Sequence, residues 1–538
     1  MKFLQKITAL VAGIFLLATC ATQPLDGVRE DVIPAELRQI IDENRRIALP
    51  PPHPDLEGMM SHFVPPIDEE ADARIADVLR QKRRMQDCCP LCQLDGDFRG
   101  ISRTDHLDVF LTHEQLGKDI RFLFDLLRHG YPGYWYFGGD DVFLPIRDAM
   151  LEQLANMSNP LQVYSYLNNL ILPALRNVIV DNHFQIHDVT LLAPRHVLYI
   201  NEEFILRRDG SGLLTEMDGI LYRVLEVTHG NAQPVDGILP TLTPEGEFVW
   251  AFGLVTADSR WEEMEITVTL ENTGTGENHS RMVSLRRIAA PWQPGYPTIA
   301  TREVNGILVL ENRNLNPRSE EQITDFLHSG YALRDRPIFI MDLRGNSGGS
   351  TSLARWWVGI YTGQKPTDTP LFAISSQSSQ VAIELQDFFI PYDISVALRE
   401  AMADCTEDYC CMQEFIPTGL SVSSGNPRQM PIPNENFLIV LIDNNVGSAG
   451  DMLVGYLRQL KNVLFVGTNT HGSLVTGFLG RTNLPYSGLD IMFGTGLRVR
   501  PDLSQIEGVG FKPDLWVPPG ESLERVLHFI ERYGLARQ

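Results

Sequence analysis

Two units of the same kind constrain this chain more than any other feature: a fully apolar strand, a turn rich in glycine, then an amphipathic helix. Phe437-Leu438-Ile439-Val440-Leu441-Ile442 has the length and branching of a strand buried on both faces, and Met452, Leu453, Tyr456, Leu457 and Leu460 recur at helical spacing after it. Between them lies Asn444-Asn445-Val446-Gly447-Ser448-Ala449-Gly450-Asp451. The second unit runs from Pro337-Ile338-Phe339-Ile340-Met341 through Asp342-Leu343-Arg344-Gly345-Asn346-Ser347-Gly348-Gly349-Ser350 into a helix expected from about Leu353 to Tyr361. Val463-Leu464-Phe465-Val466 reads as a further strand. Repeated strand-helix units with doubly buried strands predict a parallel α/β sheet, whose ligands bind where the loops at the carboxyl ends of the strands share one edge.

Ser448 therefore stands at a helix start, where unpaired N–H groups and the positive end of the helix dipole favour a developing oxyanion. The Ala449 N–H is the nearest donor. Strand, turn, serine and helix in that order is also the geometry of serine hydrolases, although a serine there also serves as a simple N-cap. In the other turn, Gly348 and Gly349 let the backbone approach a substrate carbonyl closely and turn a second N–H toward it. A phosphate-binding reading lacks its motif, since neither GxGxxG nor GxxxxGK[ST] occurs there.

The two turns carry a resemblance. Asp342 to Gly349, reading DLRGNSGG, resembles the glycine signature of the carboxy-terminal processing and tricorn-like serine peptidase family, and Gly447-Ser448-Ala449-Gly450-Asp451 is similar to its nucleophile turn. The likeness spans roughly residues 301–517 and extends more weakly back to about Leu116. It implies an α/β fold with a crotonase/ClpP-like catalytic domain built on a parallel sheet. With it come a small β-rich domain, PDZ-like or purely structural, and an N-terminal helical domain.

The family divides by its general base. The Ser-Lys branch places lysine 25 residues after the nucleophile, and here that position is Ser473. The tricorn-like branch uses a histidine before the middle domain and a glutamate near the carboxyl end. Val180-Asp181-Asn182-His183-Phe184 matches its histidine turn, and Gln505-Ile506-Glu507-Gly508-Val509-Gly510-Phe511-Lys512-Pro513-Asp514 matches its terminal turn. The resemblance thus implies a Ser448, His183, Glu507 relay with oxyanion donors at Ala449 and at Gly348 or Gly349, and no cofactor. Chemically, a serine hydroxyl needs a neutral imidazole to take its proton, and the imidazole needs a group that fixes its tautomer. Asn182 is placed to help orient the ring.

Each role has a plainer competitor. His471, in the loop after the Val463–Val466 run, is the main rival to His183, and His129 and His187 rank lower. Glu507 on a polar turn and Asp514 at the surface before a strand are the structural alternatives, and Asp451 fits helix support better than acid-base work. His183 and His187 have the four-residue spacing of a zinc helix, but Phe184 stands where the catalytic glutamate of HExxH belongs. No metal is expected.

At the amino terminus Lys2 and Lys6 precede an apolar run from Ile7 to Ala18, too short for an ordinary membrane span. Leu17-Ala18-Thr19-Cys20 resembles the bacterial lipoprotein cleavage box, which implies lipidation of Cys20 and a body tethered outside the cytoplasm, in the periplasm or at the cell surface. Of seven cysteines six then remain, in clusters at Cys88-Cys89-Pro90-Leu91-Cys92 and Cys405 with Cys410-Cys411. Outside the reducing cytosol these favour disulfides over zinc. A formal charge of −23 disfavours binding to a nucleic-acid backbone.

The expected organisation is a signal segment over residues 1–20 and a spacer with a cysteine-bearing region over 21–115, with Pro50-Pro51-Pro52 marking extended chain. A helical entry domain (116–188), a β-rich domain (189–296) and a catalytic domain (297–538) with an insertion near 364–428 follow. The aromatic turn Tyr131-Pro132-Gly133-Tyr134-Trp135-Tyr136-Phe137 suits packing better than ligand binding. The chain reads as an envelope-associated serine endopeptidase acting on unfolded or extended polypeptide. The competing reading is a catalytically silent peptide- or ligand-binding lipoprotein on the same scaffold.

Overall fold

The structure is a computed structural model of the 538-residue chain. It describes residues 33–48, 51–63, 68–88, 107–210, 212–230, 233–234, 237–257, 260–288, 298–317, 319–364, 366, 373–376, 380–387 and 431–536. The expected lipidation position Cys20, most of the insertion and the cysteine clusters lie outside the described residues, apart from the backbone of Cys88.

The expected parallel sheet is present. Its six strands lie in the order Ile299–Val304, Ile307–Asn312, Ile338–Asp342, Phe437–Ile442, Val463–Gly467 and Leu515–Trp516. Only the first pair is antiparallel. All six residues of Phe437–Ile442 are buried, because both faces of the sheet are covered. One face packs against the helices Glu320–Leu333, Thr351–Thr362 and Ala449–Leu457 through Phe326, Trp357, Leu453 and Leu457. The other packs against Ala35–Ala48 and Ser522–Arg532 through Leu37, Ile41, Val526 and Phe529. Burying each such side chain contributes about 1.5–3 kcal/mol. The stretch expected as a spacer therefore contributes a helix to the catalytic layer. Its Pro-rich and charged flanks mask the apolar stripe of Leu37 and Ile41.

A second sheet brings distant segments to the same edge. Thr476–Asn483 and Asp490–Val499 form a hairpin, and Asp490–Val499 also pairs with Ala373–Ser376 and with Gln185–Ile186. The last pairing anchors the segment just after His183. Around it lies a helical layer, His113–Gly130, Gly139–Ala155 and the broken run from Val163 to Leu175, sharing a core with Phe184, Ile491 and Phe493. The aromatic turn belongs to this core: Tyr131 and Tyr134 are fully buried, with Tyr131 edge-on to Phe184 and Tyr134 stacked on Phe143.

Residues 197–287 form an antiparallel barrel-like sheet. The strands Val197–Asp209, Gly212–Met217, Ile220–His229, Glu263–Asn272 and Asn278–Arg287 follow one another, and Arg286 and Arg287 pair back onto Ile200 and Tyr199 to close the ring. Phe248–Thr256 and Ile238–Leu242 extend it. The last two of the consecutive strands form a hairpin around Asn272–Gly276. A PDZ-like groove lies between a strand and a helix, and no helix occurs among the described residues of this region.

Candidate active site

The nucleophile turn is built locally. Ser448 has φ 53° and ψ −118°, a conformation that costs of order 1–3 kcal/mol for a residue with a side chain, and its hydroxyl makes no N-cap bond to the helix it precedes. An ordinary N-cap is extended and bonds its own helix. The strain aims Oγ elsewhere: it lies 2.9 Å from His183 Nε2, across 265 residues of sequence. Ser448 stays half-buried while Gly447 and Ala449 on either side are buried.

The two glycine turns meet, as their strand order predicted. Gly447 N–H donates to the Asn346 carbonyl at 2.9 Å, and a Cβ on Gly450 would fall 2.8 Å from that same oxygen. Gly348 has φ 108°, and a Cβ there would come within 2.8 Å of Ser448 Cβ and 3.0 Å of Ala449 N. Only glycine fits so close to the nucleophile. The Gly348 N–H is not free, since it donates to Asn346 Oδ1 at 2.9 Å. Among the described residues, the N–H groups of Gly349 and Ala449 donate to no group of the chain. Of the three expected oxyanion donors, these two are the ones left open.

His183 is held from its backbone. Its N–H donates to Asp181 Oδ1 at 2.8 Å, and the neighbouring Asn182 N–H donates to Glu507 Oε1 at 2.7 Å. Asn182 turns its side chain away from the ring, with Oδ1 accepting from Ala193 N–H at 3.0 Å. Glu507 Oε2 accepts from Leu474 N–H and Val475 N–H, both at 2.8 Å. Glu507 thus joins the histidine turn to the start of the strand Thr476–Asn483, and its hydrogen bonds go to backbone rather than to the imidazole. The Thr476 backbone favours the protonated form of His183, while among the described residues Nδ1 makes no hydrogen bond. Burial pushes the His183 pKa below its usual value and the Arg498 guanidinium pushes the same way, while Asp181 and Thr476 oppose them. Near neutral pH the ring is an uncharged base. Burial pushes the Glu507 carboxyl up, as does the nearby Asp181, against the pull of its three N–H donors.

The other sequence candidates fall around this pair or away from it. His471 lies against Gly447, with Nδ1 3.3 Å from where a Cβ on that glycine would sit, and its Nε2 is buried without a partner. Burial lowers its pKa to about 3, helped by Arg195 and His183. Asp451 accepts from Gly472 N–H at 3.1 Å and Ser473 N–H at 2.9 Å, so it ties the His471 loop to the nucleophile helix. His129 belongs to the helical layer near Asp72 and Asp125. His187 sits at φ 54° just after the strand Gln185–Ile186, so the four-residue spacing from His183 does not lie on a helix. Asp514, expected at the surface, is buried and accepts from Phe465 N–H at 2.8 Å and Asn44 Nδ2 at 3.0 Å. Asp181 is the site residue that sequence reasoning passed over. Its signal, an acid two residues before the proposed base, was in plain view.

Two facing glycine turns, with a strained serine on one and a neutral imidazole at its hydroxyl, are an arrangement able to carry out acyl transfer. Residues 306–517, which carry both turns and Glu507, match the model of Peptidase family S41. Among solved structures, the chain is similar to mature CPAF at 16% identity and TM-score 0.39, covering 78% of this chain and 96% of that one. It is similar to a lipoprotein from Streptococcus agalactiae at 13% identity and TM-score 0.34, covering 79% and 99%. The photosystem II D1 C-terminal processing protease aligns at 13% identity and TM-score 0.33, over 78% and 98%. No curated protein matches the chain by sequence.

Proposed function

We propose that the chain is a serine endopeptidase that cleaves extended or unfolded polypeptides through Ser448 and His183, with Glu507 completing the relay by fixing the histidine turn. The observation that carries this reading is the 2.9 Å approach of Ser448 Oγ to His183 Nε2, made from a strained serine whose hydroxyl does nothing else. In the reaction, Oγ attacks the scissile carbonyl as Nε2 takes its proton. The tetrahedral oxyanion forms against the Ala449 and Gly349 N–H groups. His183 then returns the proton to the leaving amine, and a water, deprotonated by the same nitrogen, hydrolyses the acyl-enzyme.

Glu507 is in this reading a positioning residue: it accepts the N–H next to His183 and the N–H groups of Leu474 and Val475, just before the strand Thr476–Asn483. Polypeptide as the substrate class follows from the family of residues 306–517. The half-exposed Ser448 and the open Gly349 N–H weigh against a silent binding protein, for which a buried serine or a blocked glycine turn would be needed. Lipid attachment at Cys20 and disulfides among the remaining cysteines are part of the proposal and rest on the sequence alone. Among the described residues no helix is long and apolar enough to cross a membrane.

The test is cleavage of an unfolded protein by the purified chain, beside labelling of Ser448 by a fluorophosphonate. Cleavage and labelling that both vanish in Ser448→Ala and in folded His183→Ala support the relay. Cleavage unchanged in either variant overturns it.

A further inference from the structure

Asp181 is a wholly buried carboxylate that makes three hydrogen bonds around the proposed base. Oδ1 accepts from His183 N–H at 2.8 Å. Oδ2 accepts from Tyr131 Oη at 2.9 Å and from Thr476 Oγ1 at 2.8 Å. It therefore joins the end of the helix His113–Gly130, the histidine turn and the edge strand Thr476–Asn483 at one point. Thr476 matters twice, since its hydroxyl is on Asp181 while its carbonyl faces His183. The Arg498 Nη1 holds that carbonyl at 3.2 Å. Glu507 lies on the far side of the same backbone, with its three hydrogen bonds spent on Asn182, Leu474 and Val475.

We propose that Asp181, rather than Glu507, is the positioning residue whose negative charge sustains the imidazolium formed at His183, while the carbonyl of Thr476, whose hydroxyl it holds, accepts a hydrogen bond from Nδ1–H once the ring is charged. The proposal rests on the Ser448–His183 reading above. In the charged state two roles of one relay, usually combined in a single carboxylate, are divided: a backbone oxygen takes the Nδ1–H and a nearby charge stabilises the cation. The charged and titratable groups that face His183 agree with this division. Arg498 is a buried guanidinium that opposes a positive ring, and His471 beside Gly447 is uncharged near neutral pH. Burial holds the Tyr131 phenol neutral. Asp181 is the acidic group that favours the charged ring, and it acts against burial and Arg498.

The experiment is an NMR titration of the His183 ring in the full chain, assigned with His183→Gln, together with the pH profile of kcat/KM. In Asp181→Asn the His183 pKa is expected to fall by about one unit, the acidic limb of kcat/KM to move down with it, and kcat to drop about 10²-fold with KM held. Glu507→Gln should leave the His183 pKa at its wild-type value. An unmoved His183 pKa in Asp181→Asn, or an equal fall in Glu507→Gln, overturns the proposal. Tyr131→Phe serves where Asp181→Asn does not fold: it strips a hydrogen bond from Asp181 without touching its charge. It should leave the ring's pKa in place and kcat within about threefold, and a loss of about 10²-fold would make Asp181 a purely structural tie. The titration is read without turnover, so a failure of the peptidase reading, seen as absent fluorophosphonate labelling, is distinguishable from a failure of this one.

Discussion

The nucleophile turn and the histidine turn reach the same 2.9 Å contact by opposite means. Ser448 is set by its own neighbourhood: a buried strand before it, a wholly buried helix after it, strained dihedrals, and glycines at Gly348 and Gly450 that admit the facing turn. His183 is set by remote groups, with Asp181 and Glu507 holding adjacent N–H groups and Gln185–Ile186 pairing with a strand some 300 residues later. One half of the site is encoded by local shape and the other by buried charge. Damage to the first should therefore show as lost chemistry, and damage to the second as lost stability together with lost chemistry.

Ser448→Ala sets the upper bound on that contrast. It should lower turnover by about 10⁴–10⁶-fold with the fold intact, as read by cleavage of an unfolded protein and by circular dichroism. Gly348→Ala comes next, because the added Cβ meets Ser448 Cβ and the Gly447 carbonyl, each at 2.8 Å. A loss of about 10²–10³-fold in kcat is expected as the donor geometry shifts; a variant with wild-type kcat would show that the turns are looser than described. Glu507→Ala should differ in kind. It strands three buried N–H groups, with a cost of about 1–3 kcal/mol visible as a lower Tm, and displaces the histidine turn enough to reduce kcat about 10²-fold. An unchanged Tm would break the distinction between the two turns.

The smallest effect is on pH dependence. His183 must be neutral to act as base, and burial together with Arg498 lowers its pKa from the ordinary 6.5. Activity is then retained as pH falls through 6.5 and is lost only below it. The midpoint of the acidic limb of kcat/KM should accordingly lie under 6.5, and a midpoint above it would mean that the imidazolium is favoured more strongly than burial disfavours it.

The same contrast explains what was legible in the sequence. Phe437–Ile442, Ile338–Asp342 and the helix after Ser448 announce themselves by hydrophobic pattern, because they are buried by neighbours in the same sheet. The strained serine and the facing glycines are local, so their chemistry was readable before their geometry. The helix Ala35–Ala48 was not, since its apolar stripe is narrow and its burial depends on strands from the far half of the chain. Nor was the use of Gly348 N–H by Asn346, which depends on how a side chain turns. Likewise, nothing in the residues around Glu507 says that its oxygens would take backbone N–H groups instead of the ring, or that Asp181 would gather Tyr131 and Thr476.

The 265-residue separation between base and nucleophile also bears on how the protein is made. A ribosome delivers His183 first, Ser448 much later, and Glu507 after both. Between those two points the growing chain holds the histidine turn without the serine, and the strand Asp490–Val499 that seats the histidine turn follows both. Seating of the Ser448–His183 pair is thus postponed by topology alone until residues 490–499 have been made, and a chain that has not reached them carries no seated pair toward the neighbours it meets on the way.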